Sequence, residues 1–155
     1  MSNKVPSYQG LQPSSPAASR AKQANGRRDT APELLLRRAL WHMGLRFRKN
    51  VENLTGKPDI VFPITKVAVF CDGDFWHGRN WSTLQAKLEQ GTNPQYWIAK
   101  IKSNMDRDNR NTVMLEELGW MVIRLWETDI KKDPVSAASL IKDAVEARKQ
   151  HGQNG

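Results

Sequence analysis

Residues 56–78 read Gly-Lys-Pro-Asp-Ile-Val-Phe-Pro-Ile-Thr-Lys-Val-Ala-Val-Phe-Cys-Asp-Gly-Asp-Phe-Trp-His-Gly, and they indicate which architecture the chain adopts. Two runs that favour β-strands, 60–62 and 67–70, flank a short turn segment. The second run is uniformly apolar, as expected of a strand that is covered on both faces. It ends abruptly at a polar segment, 71–74. The stretch therefore predicts a β-hairpin whose second strand lies inside a domain.

Helical patterns flank this hairpin. Thr30 to Glu33 reads as a capping box with a proline in the first helical turn. Apolar residues follow at helical spacing: Leu35, Leu36, Ala39, Leu40 and Met43. Residues 45–51 alternate between apolar and basic side chains, which predicts a strand with one solvent-exposed face, whereas the polar residues 78–94 predict no regular structure.

The second half of the chain predicts two helices around one strand. A long helix begins near Gln95 and ends at Gly119. Residues 120–126 form a strand, and Asp133 then caps a last helix. We expect that helix to face inward through Ala138, Ile141 and Val145, and we expect three tryptophans, Trp41, Trp120 and Trp126, to lie in the core.

This order predicts an α/β domain with a central mixed β-sheet flanked by helices. Residues 27–150 form the predicted domain. Residues 1–26 are rich in Ser, Pro, Ala and Gln and predict a disordered or loosely ordered basic arm, and 151–155 a tail.

The formal net charge is +8, and residues 1–28 contribute +5 of it because they contain no acid. Their cations are Lys4, Arg20, Lys22, Arg27 and Arg28. Such a segment attracts nucleic acid, although a solvated basic tail on an ordinary domain is the alternative. The single cysteine, Cys71, excludes a disulfide framework and fits a cytosolic compartment. No apolar run predicts a membrane span or a signal peptide.

Asp59 stands at the mouth of the hairpin, where it either caps a turn or serves a site. Strand pairing brings it near Cys71 and Asp72. Two carboxylates beside a backbone carbonyl form a hard-oxygen pocket that suits Mg²⁺. A hydrated acidic rim at a strand end is the alternative interpretation.

Further candidates follow the second strand. His77 can accept a proton from water near neutral pH, or it has a structural role. Phe75 and Trp76 either plug the core or enter between stacked bases. Asp108 shares the inward helix face of Ile101, so it must be paired, neutralised or functional. Basic residues on the same helix either contact phosphates or form a solvated face: Lys100, Lys102, Arg107 and Arg110.

Taken in order, these segments resemble the very short patch repair (Vsr-type) DNA mismatch endonucleases. The matching segments are 28–33, 56–59, 70–78, Tyr96-Trp97, 106–108, 118–120 and Trp126-Glu127, within roughly residues 20 to 130. The resemblance implies a restriction-endonuclease-like fold. It also implies a Mg²⁺-dependent enzyme, with one or two ions, that nicks one DNA strand on the 5′ side of the mispaired thymine in a T·G mismatch.

The resemblance also implies roles for individual residues. Asp59 would be the central metal ligand and the main-chain carbonyl of Cys71 a second ligand, while His77 would activate the attacking water. Asp108 and Glu33 would orient metal-bound waters, although Glu33 is also the acid of the capping box. Three aromatic residues would enter the duplex at the mismatch: Phe75, Trp76 and Trp97. We also expect five basic residues to contact the DNA: Arg27, Arg28, Lys57, Lys100 and Arg107.

Three features depart from the best-known members of the family. Those members hold a structural zinc through His and Cys residues after the Phe-Trp-His segment and through a later cysteine. This chain has residues 78–81 at the first position and Thr128 at the second. We therefore expect no structural zinc. Asp72 replaces a histidine, and it could bind metal or change the water network. The N-terminal arm is longer and rich in proline.

Three functions follow from these observations. The first is mismatch-specific nicking in the bacterial cytoplasm, on the nucleoid, with mismatched double-stranded DNA and other mismatch-repair proteins as partners. The second is a restriction or phage-defence nuclease with the same catalytic core and another DNA target. The third is a DNA-binding protein without catalysis.

Overall fold

The computed structural model describes residues 29–154. Predictions that concern residues 1–28, including the N-terminal arm, Arg27 and Arg28, lie outside the described residues. Five helices and four strands follow one another along the rest of the chain. They are α1 (Ala31–His42), β1 (Arg48–Lys49), β2 (Ile60–Phe62), β3 (Val67–Asp72), α2 (Trp81–Glu89), α3 (Pro94–Glu117), β4 (Met121–Trp126), α4 (Glu127–Lys132) and α5 (Pro134–Asn154).

The four strands form one mixed sheet in the order β1-β2-β3-β4. β1 and β2 pair antiparallel, β2 and β3 pair antiparallel, and β3 and β4 pair parallel. The predicted hairpin is present, with Ile60 opposite Val69. The parallel pair requires a crossover, which α2 and α3 supply. The predicted central mixed sheet with flanking helices is confirmed.

Alternation along β3 directs side chains to two different environments. Val67, Val69 and Cys71 join the main hydrophobic core, together with residues of α1 and α5. Phe70 and Asp72 project from the other face, toward α3, because successive residues of a strand point to opposite sides. In α5, Ala138 and Ile141 are fully buried and Val145 is 2% exposed, as the sequence predicts.

Two short helices were not predicted. α2 falls within the segment that was expected to lack regular structure, and none of its residues is buried. A helix without a buried face has no amphipathic pattern to detect. α4 begins directly after β4, and only Glu127 and Ile130 of its six residues are buried.

Three local predictions were wrong or only partly met. Trp41 was expected in the core, but it is 55% exposed and the Arg46 guanidinium lies 3.3 Å above its ring. Trp120 and Trp126 are half-buried. The strand predicted at 45–51 is reduced to the two residues of β1.

The capping box at α1 takes a different form from the expected one. Thr30 makes no side-chain cap bond to the helix. Its hydroxyl instead donates to Glu127 Oε2 at 3.1 Å, and Glu33 Oε2 accepts the Asp29 N–H at 2.9 Å. The start of α1 is therefore tied to the start of α4. No helix within residues 29–154 is long and apolar enough to cross a membrane.

Candidate active site

A cleft of about 500 Å³ opens beside α3, at the edge of the sheet where β2 begins and β3 ends. The five residues predicted as catalytic all line it: Glu33, Asp59, Asp72, His77 and Asp108. Cys71, Lys57 and Arg107 also contribute to its wall. Residues that are up to 75 positions apart in the sequence therefore share one concave surface, which is the usual setting of an active site.

Asp59 lies at the base of the cleft, immediately before β2. Its Oδ2 accepts the backbone N–H of Cys71 at 2.7 Å, so the two segments meet as the strand pattern predicted. Burial, helped by the nearby charges of Glu33 and Asp72, raises the pKa of Asp59 to about 7 against the opposing Cys71 hydrogen bond. Burial and the neighbouring acids therefore disfavour the ionised form of Asp59.

Two further buried acids surround Asp59. Glu33 is 2% exposed and Glu127 is 8% exposed. Burial raises the pKa of both carboxyls, and each also raises the pKa of Asp59. Arg37 lies 3.6 Å from Glu33 Oε2, and the charge of His77 lowers the pKa of Glu127 against its burial. Glu127 was missed as a site residue, although its position directly after an apolar strand is the same signal that identified Asp72.

The chemistry of this donor set fits a hard divalent cation. The half-buried Asp59 and the buried Glu33 and Glu127 offer carboxylate oxygen atoms, which Mg²⁺ prefers. A bound cation would also favour the ionised form of Asp59, which burial and the neighbouring acids disfavour. Asp59 would hold the ion directly, and Glu33 and Glu127 would balance its charge.

A second group of side chains stands beside the first. His77 Nδ1 makes a short hydrogen bond with Asp108 Oδ2 and lies 3.8 Å from Asp72 Oδ1. Burial alone would lower the pKa of His77. The hydrogen bond with Asp108 and the charge of Asp72 outweigh it, so the pKa is raised. With Nδ1 held by Asp108, Nε2 is the ring nitrogen left to exchange a proton with a ligand in the cleft.

The loop that carries His77 is fixed against α3. The Asn104 side chain donates to the Trp76 carbonyl at 2.9 Å, and Asp108 follows Asn104 by one helical turn. Gly78 has φ +72°, and a Cβ at this position would lie 2.4 Å from Met105 Sδ. Because only glycine permits this approach, the loop can bring His77 within reach of Asp108.

The three predicted intercalating residues form one aromatic cluster. Ring centroids lie 5.1 Å apart for Phe75 and Trp76, 5.5 Å for Phe75 and Trp97, and 5.8 Å for Trp76 and Trp97. Phe75 and Trp76 are half-buried, whereas Trp97 is 6% exposed. Trp97 therefore supports the other two rings from within, and its own entry into a duplex would require this cluster to open.

Only some of the residues predicted to contact phosphates lie at the cleft. Lys57 and Arg107 are exposed at the wall of the cleft. Lys100 is half-buried on α3 and does not line it.

Comparison with known proteins finds relatives that match most of the chain. A family model described as DNA mismatch endonuclease Vsr matches residues 15–83. The type II nicking enzyme V.NmeDIP of Neisseria meningitidis is 46% identical over 123 residues, which is 79% of this chain and 82% of that protein. The type II nicking enzyme V.HpaIIP of Haemophilus parainfluenzae is 39% identical over 82% of this chain and 89% of its own length. The DNA mismatch endonuclease Vsr of Escherichia coli is 35% identical over 74% of this chain and 72% of its own length.

The chain belongs to the Vsr endonuclease family. It is therefore a DNA endonuclease, and DNA is its substrate. The mixed sheet with flanking helices agrees with the restriction-endonuclease-like fold of this family.

One arginine of this Vsr-family site was missed by sequence reasoning. Arg124 of β4 lies in the cleft wall, and its Nη1 is 3.2 Å from both oxygens of Asp72. The only available sequence signal was a charged residue within an otherwise apolar strand. Such a residue inside a sheet has to find a partner.

In the region where the resemblance would place a structural zinc, this chain has a set of polar contacts, which we call the clamp. It consists of Asp74, Arg79, Thr128 and Asp129. Asp74 Oδ1 accepts the backbone N–H of Thr128 at 3.1 Å. Arg79 Nη1 lies 3.1 Å from Asp74 Oδ2 and 3.0 Å from Asp129 Oδ1. These contacts join the loop after β3 to α4.

Proposed function

We propose that this Vsr-family endonuclease is Mg²⁺-dependent and nicks one strand of a DNA duplex on the 5′ side of the mispaired thymine in a T·G mismatch. The observation that carries the proposal is the convergence of two groups in one cleft. Asp59 with its buried acids supports a cation site, and the His77–Asp108 pair beside it supports proton transfer. The family membership adds the strand-nicking reaction.

The roles are those that the family resemblance implies, and the shared position of the residues in the cleft supports them. Asp59 and the Cys71 carbonyl would hold Mg²⁺, with Glu33 and Glu127 balancing its charge. When bound, Mg²⁺ would stabilise the charge on the reacting phosphate and favour ionisation of a nearby water. His77 would take the proton of the attacking water at Nε2 as the new P–O bond forms and the bond to the leaving oxygen breaks. Asp108 would fix the tautomer of His77 and stabilise its cationic form.

Mismatch recognition would use the aromatic cluster. Unstacking a mispaired base costs less than unstacking a paired one, so a rigid aromatic wedge enters there preferentially. Phe75 and Trp76 are the half-buried members, and they directly precede His77 in the loop. Lys57 and Arg107 would contact phosphates at the cleft wall, which positions the strand without reading its sequence.

A nicking enzyme with another DNA target is the second candidate, and the names of two relatives favour it. V.NmeDIP and V.HpaIIP are described as type II nicking enzymes. Both candidates use the same cleft and the same chemistry. They differ in whether the mispair itself is required.

The test compares end-labelled T·G duplexes with T·A duplexes of identical sequence in several flanking contexts, with Mg²⁺. The proposal predicts a single nick 5′ of the mispaired thymine and no cut in the T·A duplex. Equal nicking of both duplexes at one sequence would favour the second candidate.

Site variants test the catalytic assignment in the same assay. Asp59→Asn and His77→Ala should each lower the single-turnover rate by roughly 10²–10⁴-fold, the usual contribution of a metal ligand or general base. Asp143→Asn serves as a matched control because Asp143 is an exposed acid on α5. If folded Asp59→Asn cuts at the wild-type rate, the metal assignment fails.

A further inference from the structure

Arg124 connects three structural elements beneath the site. Its Nε donates to Thr112 Oγ1 at 2.8 Å and its Nη2 donates to the Asp108 carbonyl at 3.2 Å, and both acceptors belong to α3. Its Nη1 contacts both Asp72 oxygens of β3, and its guanidinium lies 4.0 Å from the Phe70 ring centroid. Every guanidinium nitrogen thus has an intramolecular partner. An arginine held in this way is not free to follow a DNA phosphate.

The three side chains next to Arg124 have the spacing of a metal site. Asp72, His77 and Asp108 each offer one ligand atom, and these atoms lie within 4.8 Å of one another. One imidazole with two carboxylates suits Zn²⁺ or Co²⁺, which accept nitrogen ligands, better than Mg²⁺. A cation bound there would occupy the imidazole that the proposed reaction needs.

Arg124 changes the charge of this group. Arg124 opposes the negative charges of Asp72 and Asp108, because its Nη1 lies 3.2 Å from Asp72 Oδ1 and 3.9 Å from Asp108 Oδ1. His77 opposes the same charges when it is protonated. The neighbouring group of Asp59, Glu33 and Glu127 contains three acids, and Arg37 contacts only one of them among the residues that the structure describes. The electrostatic attraction for a divalent cation is therefore directed to Asp59.

We propose that Arg124 is a positioning residue that withholds Asp72 from metal coordination, so that divalent cations bind at Asp59 and His77 remains available for proton transfer. The inference rests on the proposed role of His77. It also gives Asp72 a function different from the histidine that better-known family members carry there: Asp72 is the counter-ion of Arg124.

Loss of the Arg124 charge should convert the group of Asp72, His77 and Asp108 into a cation site. Asp72 is 6% exposed, and a buried carboxylate without its partner is costly, so a cation from solution can take the place of Arg124. The side chain of Arg124 is 21% exposed, which leaves the vacated position accessible from the cleft.

The test uses Co²⁺ as the probe and follows visible absorption of the protein without DNA. Wild-type protein should show only the weak bands of Co²⁺ bound by oxygen ligands. Arg124→Leu should gain the stronger bands of a histidine-bound ion of low coordination number, and these should disappear in Arg124→Leu/His77→Ala. Arg38→Leu, which changes an exposed arginine of α1, should behave as wild type.

Kinetics separate positioning from DNA binding. In Mg²⁺, Arg124→Leu should lower the single-turnover nicking rate at saturating DNA by about tenfold or more, because His77 loses its fixed geometry. Its Kd for DNA in Ca²⁺ should stay within about threefold of the wild-type value. Adding Asp72→Asn to Arg124→Leu should recover part of the lost rate, since neither side chain is then charged.

Several results would overturn the inference. Wild-type protein with His77-dependent Co²⁺ bands would show that Arg124 does not close the group to cations. A folded Arg124→Leu protein without these bands would show that Asp72 is not released. Lost DNA affinity with an unchanged saturating rate would identify Arg124 as a phosphate contact. If Arg124→Leu does not fold, Arg124→Gln removes the charge while keeping donors for α3, and the same predictions apply.

The spectroscopic measurement is independent of the DNA target. A wild-type protein that leaves T·G duplexes uncut would contradict the proposed function, while the Co²⁺ spectra would still decide the role of Arg124.

Discussion

Asp59 shows at the residue scale how position changes the chemistry of one side chain. A solvated aspartate is ionised at neutral pH, whereas burial beside Glu33 and Asp72 raises the pKa of Asp59 from 3.8 to about 7. The folded protein therefore binds a proton at Asp59 more tightly than the unfolded chain does. This difference makes both stability and metal binding depend on pH.

We expect metal-free protein to lose stability as pH rises from about 4 to about 7, the interval between the unfolded and folded pKa values of Asp59. Asp59→Asn should flatten this decline, and Asp143→Asn should not. Thermal unfolding in EDTA across this interval measures the effect. Added Mg²⁺ should raise the Tm more at about pH 8 than at about pH 6, because the ligand must be ionised. A decline that persists unchanged in Asp59→Asn would contradict this account.

Asp108 should matter through His77. Asp108→Asn replaces the carboxylate that holds Nδ1 with a neutral amide, and it should lower the nicking rate by roughly 10²-fold or more. The double change with His77→Ala should cost little more than His77→Ala alone, since the two residues act as a unit. Single-turnover rates of the three variants test this. Asp106→Asn is the control, because Asp106 is an exposed acid on the same helix. If the double variant instead loses the product of the two single losses in rate, Asp108 and His77 do not act as a unit.

At the scale of elements, the site depends on how one loop is fixed at both ends. Residues 73–79 leave β3, contact α3 through Asn104 and Gly78, and are tied to α4 through Asp74 and Arg79. The Thr30–Glu127 hydrogen bond joins α4 in turn to α1. Three helices thus meet around the residues that line the cleft.

We expect Arg79→Ala to weaken the attachment of this loop to α4. Arg79 bridges Asp74 and Asp129, so its removal leaves two acids without their common cation. The side chains are partly exposed, and the Tm should therefore fall by only a few degrees. The nicking rate should fall by more than the small loss of stability would explain, because the loop carries His77. Lys87→Ala on α2 is a suitable control. An unchanged Tm with unchanged nicking would show that the clamp has no role in positioning the loop.

At the scale of the whole molecule, charge is unevenly distributed. Residues 1–28 supply +5 of the net charge of +8, while the cleft contains a dense group of acids. DNA affinity should therefore depend strongly on salt, because cations outside the cleft must offset repulsion between its acids and the phosphates.

The paired change Arg27→Gln/Arg28→Gln should lower DNA affinity and reduce the slope of log K against log salt by roughly 0.9 for each phosphate that the variant no longer neutralises. The rate at saturating DNA should not change, because these residues would serve binding alone. Fluorescence anisotropy with Ca²⁺ at several salt concentrations measures the slope. Arg38→Gln provides the comparison on α1. A slope equal to that of wild type would exclude phosphate binding by Arg27 and Arg28.

The sequence by itself was sufficient for features that depend on local patterns. The β2–β3 hairpin, the long helix α3 and the inward face of α5 follow from apolar periodicity and from capping residues. It also indicated that Asp59 would meet the end of β3, because paired strands fix which residues lie opposite each other. The exposed helix α2 and the exposed Trp41 were mispredicted, because hydrophobicity alone does not show whether a partner surface is available.

Tertiary structure decided which charges meet. Arg124 and Glu127 belong to β4 and α4, about 50 or more residues after Asp72, and nothing in their local sequence specifies their partners. The parallel β3–β4 pairing places Arg124 beside Asp72, and the packing of α3 places Asp108 beside His77. Electrostatic effects depend on distances in space and on burial, and those are set only when the sheet and its helices pack together.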